Sequence, residues 1–98
     1  MFNDVIEING KLGTLSGRLL QLANVSANGK AGTYSTDVNF EANACYIVII
    51  RPTNDNNSLT MTPIIGGYFN PQYVTIVNNK ISLILSGAWG FGFVYKLS

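Results

Sequence analysis

Short runs of β-branched and aromatic residues, each bounded by turn residues, constrain this chain more than any motif it contains. Such runs between Asn, Gly and Pro predict strands. Residues 5–8 and 11–15 flank Asn9-Gly10, and Asn-Gly is the strongest short-range hairpin signal. Residues 73–77 and 80–85 flank Asn78-Asn79 in the same way. The chain is therefore predicted to form antiparallel β-structure built from hairpins.

The middle of the chain predicts the core. Residues 45–51 are almost continuously apolar and β-branched, which indicates a central strand covered on both faces. Before it, residues 34–41 alternate apolar and polar side chains, with Val38 and Phe40 between polar neighbours, as in a half-buried strand. Pro52 ends the central run because it cannot donate a hydrogen bond to a sheet.

The second half of the chain adds shorter segments. Residues 59–62 alternate as a strand, whereas residues 63–72, which contain two prolines and Gly66-Gly67, are expected to form an irregular exposed loop. Residues 91–97 close the chain as a strand whose odd-numbered side chains share one face. The whole pattern predicts a single domain, residues 1–98, with an all-β fold: a small antiparallel β-sandwich or barrel-like fold of about seven or eight short strands.

One segment has two interpretations. Leu12, Leu15, Leu19 and Leu22 fall at three- and four-residue spacing, so residues 14–23 could form a short helix instead of a strand. Gly13 and Gly17 weaken the helical interpretation. Both are left open at this point.

Composition excludes some partners and favours others. Only 11% of the residues are charged, the net charge is +1, and the six cations are dispersed, so binding to nucleic acid is not expected. The hydrophobic fraction of 47% suggests that another subunit covers some apolar surface. The alternative is that the excess simply fills a two-sided sandwich core.

Catalytic chemistry is not predicted. The chain has no His, so the common Cys-His pair is excluded within one chain, and Cys45 is expected to be a small buried hydrophobe. Asp37 and Glu41 would lie about 13 Å apart on one strand face, which is too far for paired carboxylates. We therefore predict no enzyme activity and no catalytic residues.

No metal ion or other cofactor is expected either. Residues 54–57 are rich in oxygen ligands but contain a single charged one, Asp55, and a turn explains them better than a calcium site. Residues 87–92 carry alternating glycines between two strands, not before a helix, so they are not a phosphate loop. Glycines there indicate a bulge or a close backbone approach, which could be where chains meet around a symmetry axis.

The N-terminus carries two acids where a signal peptide needs basic residues and a longer apolar run. The longest apolar run, residues 44–50, is far shorter than the ~20 residues of a membrane helix. We expect synthesis in the cytoplasm without a signal peptide, and no membrane insertion.

Aromatic residues in the Gly-containing loops are the candidate ligand-binding residues, because binding residues concentrate on loops of rigid scaffolds. Aromatic rings beside amide groups suit sugar rings, which stack and accept hydrogen bonds. The alternative is that these aromatics cap the ends of the core. The candidates are Tyr68, Phe69, Asn70, Tyr73 and Trp89.

Three segments, residues 8–18, 49–52 and 90–95, resemble small β-structured proteins encoded among the tail genes of tailed bacteriophages and prophages. The resemblance implies a virion structural protein, a tail-tip or tail-fibre head subunit that contributes to host receptor binding. It also implies a homotrimer that contacts other virion tail proteins and a host cell-surface glycan or protein, located in the virion tail. A monomeric carbohydrate-binding module and a capsid decoration protein are the alternatives.

Overall fold

The computed structural model describes the backbone of residues 4–8 and 11–15 and the whole of residues 19–97. The described residues contain strands and one 3₁₀ turn at Asn56–Ser58, but no α-helix, which confirms the all-β prediction. The strands are β1 (Asp4–Ile8), β2 (Lys11–Leu15), β3 (Leu19–Ser26), β4 (Gly32–Asn39), β5 (Cys45–Arg51), β6 (Thr60–Ile65), β7 (Val74–Val77), β8 (Lys80–Leu85) and β9 (Phe91–Leu97).

The strands form two large antiparallel sheets and a separate hairpin. One sheet has four strands in the order β3-β9-β5-β6, and the other has three in the order β4-β8-β7. Among the described strands no ladder joins these two sheets, so the fold is a sandwich-like pair of sheets and not a closed barrel. β1 and β2 pair only with each other, as the hairpin signal predicted, while the turn at residues 9–10 lies outside the described residues.

The core lies between the two larger sheets. β5, β6 and β9 contribute side chains from one sheet, and β7 and β8 from the other, since alternate residues of each strand point inward. The fully buried apolar side chains are Tyr46, Val48, Ile50, Ile64, Val74, Ile81, Leu83, Leu85 and Val94.

β5 corrects one sequence prediction. The strand occupies residues 45–51 and has neighbours on both sides, as expected. However, Tyr46, Val48 and Ile50 are buried whereas the alternate residues are only half-buried, so the prediction that both faces are covered is wrong for the single chain. The physical reason is that the second sheet packs against one face only. Cys45 is on the other face and is half-buried, not a buried core residue.

The ambiguous segment at residues 14–23 is extended at the positions that the structure describes. β2 ends at Leu15 and β3 begins at Leu19, so the helical alternative is wrong wherever the segment is described, and residues 16–18 lie outside the described residues. Strand pairing decides the outcome, because β3 is held along β9 from Leu19 to Ser26.

Pro63 corrects a second prediction. It lies inside β6, and only residues beyond Ile65 form the expected irregular loop. β6 is an edge strand, where a residue whose nitrogen faces away from the neighbouring strand needs no N–H group, so the proline does not end it. The chain reverses after Ile65 through Gly66 and Gly67, which both have positive φ.

The predicted β7–β8 hairpin is confirmed, and the predicted strand at residues 34–41 is confirmed in part. Asn78 and Asn79 have φ of 51° and 63°, so they form the predicted two-residue turn of the β7–β8 hairpin. β4 shows the expected alternation at Val38, although it ends at Asn39 and contains a bulge in which Asp37 has a φ of 61°.

Candidate binding surfaces

The loop between β6 and β7 holds four of the predicted binding residues. Tyr68 is 70% exposed at the reverse turn, where its backbone exchanges two hydrogen bonds with Ile65. Phe69 and Tyr73 are half-buried and pack against the core, so for these two residues the alternative of core capping describes their position. The Asn70 side-chain oxygen accepts a hydrogen bond from the Gln72 backbone N–H at 3.0 Å and so shapes the loop. Of the four predicted residues, Tyr68 is therefore the one that this loop exposes most.

Trp89 lies in the turn between β8 and β9 and is 59% exposed. Its backbone N–H donates to Asn54 Oδ1 at 2.8 Å, and its carbonyl accepts from Arg51 Nη2 at 2.9 Å. The indole lies across the β3–β4 turn, where its Cη2 would be 3.6 Å from a Cβ added at Gly29. The backbone of Trp89 is thus held from two sides while much of the ring stays accessible.

The structure does not bring Tyr68 and Trp89 together. Ile65, just before the Tyr68 turn, pairs with Cys45 at the start of β5. Phe91, just after the Trp89 turn, pairs with Arg51 at the end of β5. Six residue steps at ~3.3 Å separate the two ends by about 20 Å. The predicted binding residues therefore form two separate surfaces at opposite ends of the four-stranded sheet.

The glycines of residues 87–92 allow close approach, as predicted, and the approach occurs within the chain. A Cβ at Gly87 would lie 2.6 Å from the backbone of Thr53 and Asn54. A Cβ at Gly92 would lie 2.5 Å from Leu83 Cδ1, so Gly92 makes room for a core side chain of the opposite sheet. Intrachain packing thus accounts for both glycines.

A third surface was missed by the sequence analysis. The side of the four-stranded sheet that points away from the core, which we call the outer face, is apolar over β9, β5 and β6. The pairing register places on it Leu19, Gln21, Asn24 and Ser26 of β3, Phe91, Phe93, Tyr95 and Leu97 of β9, Cys45, Ile47, Ile49 and Arg51 of β5, and Met61, Pro63 and Ile65 of β6.

Aromatic rings run along the middle of the outer face. Ring centroids are 5.8 Å apart for Phe91 and Phe93 and 6.4 Å apart for Phe93 and Tyr95. At one end, the Arg51 guanidinium lies 4.7 Å from the Phe91 ring centroid, a cation–π arrangement. The shared face of the odd-numbered residues of β9 was predicted, and it was the signal for this surface. Its exposure was missed because the apolar run of β5 indicated burial on both faces.

An ion pair links β9 to the segment between β4 and β5. Glu41 forms an ion pair with Lys96, Oε2 to Nζ at 2.7 Å, and both groups are accessible to solvent. The hydrogen bond from Lys96 and its charge lower the pKa of Glu41, while the hydrogen bond to Glu41 raises the pKa of Lys96. This carboxylate is therefore engaged in an ion pair.

The described residues contain no group of three or more His, Cys, Asp or Glu side chains that could hold a metal ion. In this same part of the chain, no helix has the length and apolar character to cross a membrane. A shallow depression of about 320 Å³ lies between β4, β7 and β8, and none of the predicted binding residues lines it; its lining is Thr33, Ser35, Val77, Asn78, Lys80 and Ser82.

Comparison of the chain with models of known protein families, with curated proteins and with solved structures finds no match.

Proposed function

We propose that this protein is a structural subunit of a phage virion, a tail-tip or tail-fibre head protein that acts by assembly and by binding the host receptor. The observation that carries the proposal is the exposed aromatic and aliphatic surface of a small β-scaffold, in the two turns and on the outer face. Large apolar surfaces on soluble proteins mark interaction sites. The residue pattern of three segments supports the virion location.

Binding would follow from the way each turn is held. Backbone hydrogen bonds fix the Trp89 and Tyr68 turns before a ligand arrives, so little conformational entropy is lost on binding. An exposed aromatic ring stacks on the apolar side of a sugar ring or on an apolar side chain of a surface protein. In a homotrimer each surface would be repeated, and simultaneous binding of several copies raises the avidity.

The first experiment is binding of the purified, labelled protein to host cells. Replacing Trp89 by Ala removes a 59%-exposed ring without disturbing the backbone hydrogen bonds of its turn, so binding should fall by about tenfold or more while the unfolding midpoint is retained. Val77→Ala, which trims an exposed apolar residue on β7, is the matched control and should bind normally.

Virion composition tests the location. Mass spectrometry of purified particles from a phage that encodes this chain should detect it in the tail fraction. Its absence from the particles would overturn the location, and cell binding that is unaffected by both Trp89→Ala and Tyr68→Ala would overturn the proposed receptor contact. Detection in the capsid fraction would instead support a decoration protein.

The exposed ring of Trp89 also favours a second candidate, a monomeric carbohydrate-binding module. The two functions differ in assembly. A chain that remains monomeric at all concentrations and binds a glycan through Trp89 would support the module.

A further inference from the structure

We infer that the outer face of the four-stranded sheet is the contact surface between copies of this chain. The inference rests on the proposed function in that a structural subunit assembles, and it goes further by assigning the surface and its occupant.

The exposure of the outer face is the first step. Met61 is 68% exposed and Ile65 is 56% exposed in the single chain, although both belong to a regular strand. The rings of β9 and the aliphatic side chains of β5 beside them are only half-buried. These residues belong to a sheet whose other face already packs on the core, so the chain has one buried and one open apolar face.

The charge pattern is the second step and selects the occupant. Arg51 is the single charged residue that the register places on the outer face, and it lies at one end. Its guanidinium already stacks on Phe91 and donates to Asn56 Oδ1 and the Trp89 carbonyl. Such a face offers no ionic complement to a charged partner, whereas it complements another face of the same composition. A second copy supplies that face, because in a symmetric oligomer the same surface of each copy meets the equivalent copies around the symmetry axis.

The size of the outer face is the third step. Four strands ~4.8 Å apart and seven residues at ~3.3 Å give a projected area of roughly 400 Å². The apolar part of this face, over β9, β5 and β6, covers roughly 300 Å². This is within the size range of the largest apolar patches on typical monomers, which are often functional. Two whole outer faces bury roughly 800 Å² of projected area, below the ~1,200 Å² at which stable specific interfaces begin, so the contact is a weak one and association should depend on protein concentration.

Cys45 makes the contact measurable in the native sequence. It lies on the outer face between Ile65 and Leu97, and it is the chain's one cysteine. The experiment measures native mass by light scattering over a dilution series, together with the rate at which a maleimide modifies Cys45. We expect a dimer or trimer of the 10.6-kDa chain at high concentration, and slower modification of Cys45 as the concentration rises.

A paired variant tests the surface directly. Met61→Lys with Ile65→Lys places charge at two exposed positions of an edge strand, which tolerates lysine. The variant should stay at the mass of one chain, and its Cys45 modification should no longer depend on concentration. Val77→Lys adds the same charge at an exposed apolar position of the other sheet and should assemble like the unmodified protein. Circular dichroism checks the fold of each variant. The rate of Cys45 modification in the protein without substitutions, measured against concentration, tests the contact even where a variant misfolds.

Three results would overturn the inference. A monomer with a freely reactive Cys45 would show that the outer face stays open. A monomer with a protected Cys45 would show that another part of the same chain covers it. An oligomer that the paired variant does not change would place the contact elsewhere and leave the assembly role intact. Host-cell binding is measured separately. A protein that assembles but does not bind host cells would count against the proposed function alone.

Discussion

At the scale of single residues, Gly87 packs the β8–β9 turn against the segment that follows β5. Its N–H donates to the Pro52 carbonyl at 2.7 Å, and a Cβ there would lie 2.6 Å from the backbone of Thr53 and Asn54. Gly87→Ala should therefore lower the free energy of unfolding by about 1–3 kcal/mol, the usual cost of overpacking. Urea denaturation measures this change. Gly32→Ala is the control, because its Cβ would meet only the Tyr34 ring at 3.7 Å, and equal stability of the two variants would contradict the argument.

The ion pair of Glu41 and Lys96 gives stability a pH dependence. The pKa of Glu41 is lowered in the folded state from its ordinary value of 4.5, so its contribution is present above that pH and is lost as the pH falls through the folded pKa. The raised pKa of Lys96 means that its contribution is complete below 10.5 and is lost as the pH rises beyond the folded pKa. The unmodified protein should therefore be slightly more stable than Glu41→Gln at neutral pH.

Thermal unfolding over a pH series checks this expectation. The difference between the two proteins should disappear on acidification and shrink in high salt, because both groups are accessible to solvent. A difference that persists at acid pH would show that Glu41 acts through packing instead of charge.

Residue-level prediction succeeded where the backbone itself demands a residue type. Asn78 and Asn79 could be assigned to a turn because asparagine tolerates the positive φ that both adopt. The predicted burial of Cys45 is wrong, because burial there depends on what packs against the outer face and not on the local sequence. Tyr68 and Trp89 were found as exposed aromatic residues beside turn glycines, whereas the half-buried positions of Phe69 and Tyr73 depend on the loop's path over the core.

At the scale of elements, two substitutions at one position of the β7–β8 hairpin should change the free energy of unfolding in opposite directions. Asn79 has a φ of 63° in the two-residue turn, where glycine is the preferred second residue. Asn79→Gly should raise the free energy of unfolding by about 0.5 kcal/mol, since it removes the remaining strain of a side chain at positive φ. Asn79→Val should lower it by about 1 kcal/mol or more, because a β-branched residue is strained there.

The thermal unfolding midpoint of both Asn79 variants measures the two effects. The backbone carbonyl of Asn79 accepts a hydrogen bond from the Phe40 N–H at 2.9 Å, and neither substitution removes this group. Two variants with the same midpoint would show that the turn conformation does not limit stability.

Prediction of elements worked for strands that stand beside their partners in sequence. The hairpins β1–β2 and β7–β8 follow from local patterns. The error at Pro63 and the alternatives left open for residues 14–23 both concern places where a strand distant in sequence decides the outcome. Pro63 is tolerated because β6 lies at the edge of its sheet, and residues 19–23 are extended because β9 pairs with them.

At the scale of the whole molecule, the arrangement of the sheets explains why the sandwich could not be told from a barrel. β8 and β9 follow each other in sequence but belong to different sheets, while β3 pairs with β9 across most of the chain. Local patterns contain no signal for such long-range pairing. The same arrangement leaves one sheet with an open apolar face and places the two aromatic turns at its opposite ends, and neither property is visible in a single segment.

The separation of the two turns leads to a test of how receptor binding is distributed. Tyr68 and Trp89 lie at ends of the sheet about 20 Å apart and share no hydrogen-bond partner. If both contact a host surface, the binding losses of Tyr68→Ala and Trp89→Ala should add in the double variant to within about 0.5 kcal/mol. Titration of host cells with the three variants, at concentrations where native mass is constant, measures this. If the double variant binds as well as the single variant with the lower affinity, one ligand contact depends on both residues. The distance between the two turns does not allow this for a small sugar.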